Sequence, residues 1–303
     1  MDQTKFTTHS QELDFLKKMG FTINPLNGEA SNLNQIWDMA KDLELKKEVL
    51  NYPIDGLVVK LNDLELLDNL GVVGKTNRGW SAIKFSAEEV TTSLVGITWQ
   101  IGRTGKITPV ADLEPVELGG SVVKRATLHN FKEFTESNLV LEDTLVVRKA
   151  GEIIPEVVTV LVRLRKSENQ KFIAPSNCPS CGTELTKTDT EIDLICNNKD
   201  ACPAQILGRL NYYTSRNLGN IPGLSDKILE KLVLQFKVLD IPDLYDLPLD
   251  KIQELAGFGQ KSTLNIEQAV EKSRKIKAYK FLAALGVDGI GPEVAKLIVK
   301  AMK

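Results

Sequence analysis

All four cysteines of the chain fall in one short segment, Cys178-Pro179-Ser180-Cys181, then Cys196, then Cys202. In a cytosolic protein such clustering favours a metal over disulfides. The competing readings are free buried thiols or redox cysteines. Four thiolates that converge on one ion give a closed tetrahedral zinc site, which leaves no open position for catalysis. Gly182, after the first pair, lets the backbone turn so that its amides face the sulfurs. Cys196 and Cys202 are spaced more widely than the usual interval of about two to four residues. The segment is thus expected to be a structural zinc finger held by Cys178, Cys181, Cys196 and Cys202.

The 303 residues exceed what one core of ordinary size needs, so about two domains are expected. A formal net charge of −2 argues against a histone-like binder, and any contact with nucleic acid must come from local basic surface. No apolar run reaches membrane-spanning length, and the N-terminus lacks the apolar core of a signal peptide. No membrane partner is expected.

Near the N-terminus, Ser10 is placed to cap an amphipathic helix with Leu13, Leu16 and Met19 on its apolar stripe, and Gly20 stops it. Phe21 to Pro25 reads as a short strand, Leu33 to Val49 as a helix, and Leu64 to Leu70 as another. Between the last two, Asp55-Gly56 turns into Leu57-Val58-Val59-Lys60, an apolar run that reads as a strand packed on both faces and ending in a cation. A basic loop, Gly74-Lys75-Thr76-Asn77-Arg78, leads to a second strand, Trp80 to Phe85, with Lys84 near its end. Two strand lysines that converge suit a nucleotide phosphate.

From Thr91 to Arg165 the texture changes to short β-rich runs at 94–99, 106–113, 121–126, 143–148 and 157–162. Five strands at this spacing suit a small closed barrel of the OB type. Arg103, Lys106, Lys124, Arg125, Arg148 and Lys149 fall in its connections, as a surface facing nucleic acid would require. The last third is helical, with a weak repeat built on Ile221-Pro222-Gly223-Leu224-Ser225, Leu255-Ala256-Gly257-Phe258-Gly259 and Val287-Asp288-Gly289-Ile290-Gly291. Each copy precedes a helix, and its glycines let amides at that helix's N-terminus approach a phosphate closely. This is the helix-hairpin-helix device, which grips the DNA backbone without reading sequence. Gly223, Gly257, Gly259, Gly289 and Gly291 are its candidate contacts.

Taken in order, these pieces resemble the bacterial NAD-dependent DNA ligases. The resemblance also rests on Gly102-Arg103-Thr104-Gly105, Thr108-Pro109-Val110-Ala111, Arg125-Ala126-Thr127-Leu128-His129-Asn130 and Cys202-Pro203-Ala204-Gln205. It implies a multidomain α+β chain. A partial nucleotidyltransferase fold (residues 1–86) is followed by an OB-fold β-barrel (87–174), a four-Cys zinc finger (175–203) and an all-α helix-hairpin-helix domain (204–303).

The implied chemistry is the joining of 5′-phosphate and 3′-hydroxyl at nicks in duplex DNA. A lysine takes AMP from NAD, AMP passes to the DNA 5′-phosphate, and the 3′-hydroxyl displaces it. Lys60 and Lys84 would be two cations on the phosphoryl oxygens, Asp55 would orient groups or Mg²⁺ (or Mn²⁺), and Gly56 would allow close approach of the nucleotide. Arg103, Arg125, Arg148 and Lys149 would face DNA. Lys47 stands where the family usually has an arginine, which keeps the charge and loses the bidentate fork. Arg78-Gly79-Trp80 also departs from the family pattern, in which tryptophan directly follows arginine. The resemblance further implies a monomer in a bacterial cytoplasm, associated with the nucleoid.

The family's nucleophile lies in Lys-x-Asp-Gly, and no such tetrapeptide occurs in this sequence. No residue here is therefore expected to form the enzyme–AMP adduct. The chain reads as a piece of a ligase lacking its N- and C-terminal modules. The alternative is a non-enzymatic DNA-binding module that clamps nicked duplex with its OB, zinc and hairpin elements.

Overall fold

The computed structural model describes residues 6–74, 76–151, 153–165, 170–254 and 258–302, in two units, Met1–Glu88 and Glu89–Lys303. The first unit contains α1 (His9–Lys18), α2 (Leu33–Lys46), β1 (Gly56–Lys60), α3 (Leu64–Leu70), β2 (Val72–Val73), β3 (Thr76–Asn77) and β4 (Trp80–Lys84). The cap of α1 is Thr8, not Ser10: the Thr8 hydroxyl accepts the Gln11 N–H at 3.3 Å and the Gln11 carboxamide accepts the Thr8 N–H at 3.4 Å. Thr-x-x-Gln forms a reciprocal box, which a lone serine two positions later does not. Phe21 to Pro25 forms no strand, because the Asn24 side chain accepts the Leu26 N–H at 3.0 Å and closes a local turn. Lys75 of the basic loop lies outside the described residues.

β1 and β4 pair antiparallel, with Gly56 opposite Lys84 and Lys60 opposite Trp80. The expectation that this strand is packed on both faces does not hold. Val58 is 57 % exposed, while Leu57, Val59 and Ile83 are half-buried. The ladder has only two strands and α2 packs against β1, so strand alternation leaves one face bare.

In the second unit, β5 (Glu89–Ile101), β6 (Lys106–Leu118), β7 (Ser121–Thr127), β8 (Thr144–Ala150) and β9 (Ile154–Val160) close a barrel. The circuit runs β6-β5-β8-β9-β7 and returns through β6–β7; the β7–β9 pairing alone is parallel. These strands coincide with the expected runs, but β5 and β6 are 13 residues long. Register shifts at Leu94/Gly96 and at Asp112/Val116 bend them, so each serves two sides of the barrel. Pro115, which has no N–H to give a ladder, falls in the second shift. α4 (Phe131–Ser137) inserts Phe134 into the barrel core, edge-on to Trp99 at 4.9 Å between ring centroids.

β10 (Thr186–Lys187) and β11 (Leu194–Ile195) carry the cysteine segment onto the barrel, with Leu194 opposite Ile107 of β6. Then follow α5 (Pro203–Thr214), α6 (Asp226–Phe236), α7 (Leu249–Gln253), α8 (Gln260–Ser273), α9 (Ala278–Ala284) and α10 (Pro292–Ala301). They pack in consecutive pairs over a core that includes Leu210, Leu229, Leu232, Leu244, Ile252 and Ile266. Tyr213 and Tyr245 share a hydroxyl–hydroxyl bond inside this core, and Ser273 donates to Tyr245 at 3.1 Å. Among the described residues no helix is long and apolar enough to cross a membrane.

One ion pair of the barrel is buried. Asp143, 1 % exposed, takes the Val140 N–H at 2.9 Å and both Nε and Nη2 of Arg165 at 2.7 Å. Arg165→Ala would strand that carboxylate and is expected to lower stability by about 3 kcal/mol, the low end for a broken buried pair because Arg165 reaches solvent. Urea denaturation measures this, and a loss below about 1 kcal/mol would contradict it.

Candidate nucleotide face and metal centre

On the bare face of the β1–β4 ladder, residues directly opposite one another point the same way. Lys60 and Lys84 therefore share that face with Val58, Trp80 and Ala82. The lysines stand at opposite ends, four residues apart along the strand direction, which is about 13 Å at an ordinary strand rise. Each has its own partner. The Lys60 ammonium lies 4.7 Å from the Trp80 ring centroid, and the Lys84 ammonium donates to Asp55 Oδ2 at 2.9 Å. The hydrogen bond from Lys84 and then its charge hold the Asp55 carboxyl below its ordinary 3.8. Gly56 is required locally: a Cβ there would sit 2.2 Å from the Ile83 carbonyl oxygen, so in this fold β4 itself occupies the space beside the glycine. Trp80 as the seat of Lys60 was missed by sequence reasoning, although the register of two adjacent strands carries that signal.

The metal centre is built from two backbone knuckles. Cys178 N–H donates to Thr183 O at 2.8 Å and Gly182 N–H to Cys178 O at 2.8 Å, with Gly182 at φ +73°. The second knuckle ends at α5, where Cys202 is the N-cap and Pro203 follows, and Cys202 N–H donates to Asn198 O at 3.1 Å. The four sulfurs lie within 4.8 Å of one another, with Cys181–Cys196 at 3.5 Å and Cys178–Cys202 at 4.0 Å. Tetrahedral zinc with bonds of about 2.3 Å requires sulfurs about 3.8 Å apart, and these four fit. Burial pushes the Cys178 thiol up and Cys196 to about 12, whereas the Thr183 hydroxyl pulls half-buried Cys181 down to about 6. A divalent cation binds such groups as thiolates, so loading the site would release their protons.

Beside them, Gly105 is pressed against the second knuckle. Its carbonyl accepts the Cys196 N–H at 2.9 Å, and a Cβ on it would lie 2.3 Å from Cys196 O. Gln205, fully buried, donates to Cys196 O at 2.9 Å and to Asn198 O at 3.4 Å. Sequence reading recognised Gly105 and Gln205 only as parts of motifs.

Of the cations expected in the barrel's connections only Arg103 lies in one; Lys106, Lys124, Arg125, Arg148 and Lys149 stand on β6, β7 and β8, and their surroundings differ. The Arg103 guanidinium stacks on Tyr212 of α5 at 4.1 Å. Arg148 pairs with Glu156 at 2.7 Å and Glu89 at 3.7 Å, and Lys149 donates to Gly119 O at 3.0 Å and Ser121 Oγ at 2.9 Å. Arg125 is exposed opposite Asp112 on the neighbouring strand. Of the hairpin glycines, Gly223 (φ +98°) and Gly289 (φ +74°) precede α6 and α10 in left-handed turns. Gly259 and Gly291 are the N-caps of α8 and α10. Gly257 lies outside the described residues. Arg216, Gly223, Ser225 and Asp226 line a groove of about 520 Å³ beside the first hairpin.

A strand pair with cations at both ends, a barrel and a four-thiolate finger, in that order along the chain, match three ligase domain types. Residues 1–88 match the NAD-dependent DNA ligase adenylation domain, 91–169 the OB-fold domain and 177–204 the C4 zinc finger domain of the same enzymes. Similar curated proteins include the DNA ligases of Bacillus licheniformis and Bacillus subtilis, each 40% identical over 298 residues, and that of Bacillus cereus, 38% identical over 296. Each alignment covers 98% of this chain and 44% of the relative. The chain thus spans less than half the length of the curated relatives it matches, and it belongs to the NAD-dependent DNA ligase family.

Because the Asp55 pKa is depressed by Lys84, their pairing is present above the ordinary carboxylate range and is lost as pH falls through the lowered value. Carboxyl titration by NMR is expected to place Asp55 below 3.8 in the native chain and to return it toward 3.8 in Lys84→Met. An unchanged titration in the variant would break the assignment.

Proposed function

We propose that this chain supplies the phosphate-holding and DNA-holding parts of NAD-dependent nick sealing. The observation that carries the reading is the open face of the β1–β4 ladder, from which Lys60 projects at one end and Lys84, paired with Asp55, at the other. An ammonium there places charge where phosphoryl transfer develops it. Lys84 exchanges Asp55 for a phosphate oxygen, and the freed carboxylate is available to orient Mg²⁺ or Mn²⁺. The AMP donor is NAD, and Gly56 serves the nucleotide indirectly by letting β1 and β4 meet. Zinc on Cys178, Cys181, Cys196 and Cys202 is structural. The four-module division at 86, 174 and 203 follows the same reading, as does action as a cytoplasmic monomer on nicked duplex.

DNA is held through phosphates by Arg103, Arg125, Arg148 and Lys149 and by the amides beside Gly223, Gly257, Gly259, Gly289 and Gly291, which make helix-hairpin-helix grips of the α5/α6, α7/α8 and α9/α10 pairs. Support comes from Gly259 and Gly291. Each is at negative φ, and a Cβ on either would meet nothing within 4 Å. The fold does not require glycine at these two positions, whereas a phosphate approaching the amide does.

Gly259→Ala and Gly291→Ala are therefore expected to keep stability within about 1 kcal/mol. They should weaken binding to nicked duplex severalfold, with binding that falls steeply with salt and ignores sequence. Electrophoretic mobility shift over a salt series tests this; equal affinity of both variants and the parent would remove the hairpins from the interface. Since Lys-x-Asp-Gly does not occur in this sequence, incubation with labelled NAD is expected to leave the chain without a covalent adenylate. Finding one would place the nucleophile among the lysines present and overturn the role given to Lys60 and Lys84.

A further inference from the structure

We infer that Gln205 is a positioning residue of the metal centre: its buried amide closes the wide interval between Cys196 and Cys202 by binding the carbonyls of Cys196 and Asn198. Five residues separate the two cysteines, more than the usual interval of about two to four. Asn198 is its pivot. The Asn198 N–H is bonded to the Cys196 sulfur, and the Asn198 carbonyl accepts the Cys202 N–H at 3.1 Å. Gln205 Nε2 reaches both ends of that pivot, at 2.9 Å to Cys196 O and 3.4 Å to Asn198 O. The residue sits on the first turn of α5, whose N-cap is Cys202, so the helix carries a ligand and the clamp on the opposing ligand as one rigid piece.

The other end of the same side chain shows what this arrangement costs. Gln205 Oε1 is buried without a hydrogen-bond partner among the described residues, and a Cβ on Gly105 would lie 3.1 Å from it. An unpaired buried acceptor destabilises a fold; exchanging the amide for an apolar group relieves that cost at Oε1 but leaves the Cys196 and Asn198 carbonyls without the donor they share. If Gln205 serves only the local packing, Gln205→Met should leave the rate of zinc release unchanged, whatever it does to stability. If its two donated bonds position the knuckle, the same substitution should loosen the metal, because groups that orient ligands typically govern affinity by about tenfold to a hundredfold. The two readings therefore differ in the rate of zinc release from one variant.

The inference rests on zinc being the resident ion, and the two are tested separately. The zinc content of the purified full chain comes first: well under one zinc per chain in the parent would sink the zinc reading itself. With the parent loaded, zinc transfer to a chromogenic chelator is timed for the parent, Gln205→Met and Gln205→Glu. The expected result is release at least about tenfold faster in Gln205→Met and faster again in Gln205→Glu, whose carboxylate faces two carbonyls. The melting temperature of the chelated forms should change little between parent and Gln205→Met. Release from Gln205→Met within about twofold of the parent would overturn the inference. Failure of Gln205→Met to fold even in excess zinc would also overturn it, by making the amide a general packing requirement.

Discussion

The second unit depends on one backbone contact, the Cys196 N–H donated to the Gly105 carbonyl across a gap that admits no Cβ. Gly105 ends the turn between β5 and β6, so the contact fixes the barrel's longest hairpin to the cysteine segment. β11 extends the joint by pairing Leu194 and Ile195 with Ile107 and Lys106, and Lys106 adds an ion pair to Asp193 at 2.9 Å. Ile107 and Leu194 are buried in one cluster with three of the cysteines. From there Cys202 caps α5, and α5 carries Gly208 beneath Arg103 and Tyr212 against its guanidinium. Barrel, metal centre and first helix are thus stacked around a single peptide. A side chain at position 105 would part all three.

That arrangement assigns different work to charges that look alike in sequence. Arg148 lies between Glu156 and Glu89, Lys149 braces the β6–β7 turn, and Arg103 is spread over Tyr212. A chain with balanced charge has enough carboxylates to occupy most of its cations, and in the barrel many are so occupied. Arg125 on β7 keeps an exposed guanidinium. In the proposed function the grip on a polyanion would then rest more on groups that need no net charge, the amides at the starts of α6, α8 and α10.

How much was legible in the sequence depended on how local the cause was. The cysteine spacing announced its cluster because four thiols in one segment have few other uses. The barrel strands were placed because alternation and glycine punctuation are local, yet their true length was hidden: the bends at Gly96 and Pro115 let one strand serve two sides, and only closure of the sheet reveals that. The strand at Leu57 to Val59 misled because an unbroken apolar run has no preferred face. What decides is the number of neighbouring strands, and here there is one. Thr8 took the cap from Ser10 because the partner glutamine sits at Gln11. Gln205 and Gly105 were invisible as actors, since their partners are backbone groups about nine and ninety residues away, and backbone groups leave no mark in a sequence.

Solvent exposure separates the ion pairs that can change partners from those that cannot. Asp143, 1 % exposed and bound by Arg165 and a backbone amide, has no access to another ligand, and its pairing is part of the barrel. The Lys84–Asp55 pair leaves 60% and 50% of its two side chains in water. Water screens such a pair so strongly that it contributes little to stability, so an anion that displaced Asp55 would have little pairing energy to overcome. Lys60 is comparably free, since a ring face attracts an exposed ammonium less than an anion does. Both lysines are therefore held in place loosely, by partners whose loss the fold tolerates. A bare strand face with cations so lightly engaged is poorly explained by stability and well suited to receiving an anion.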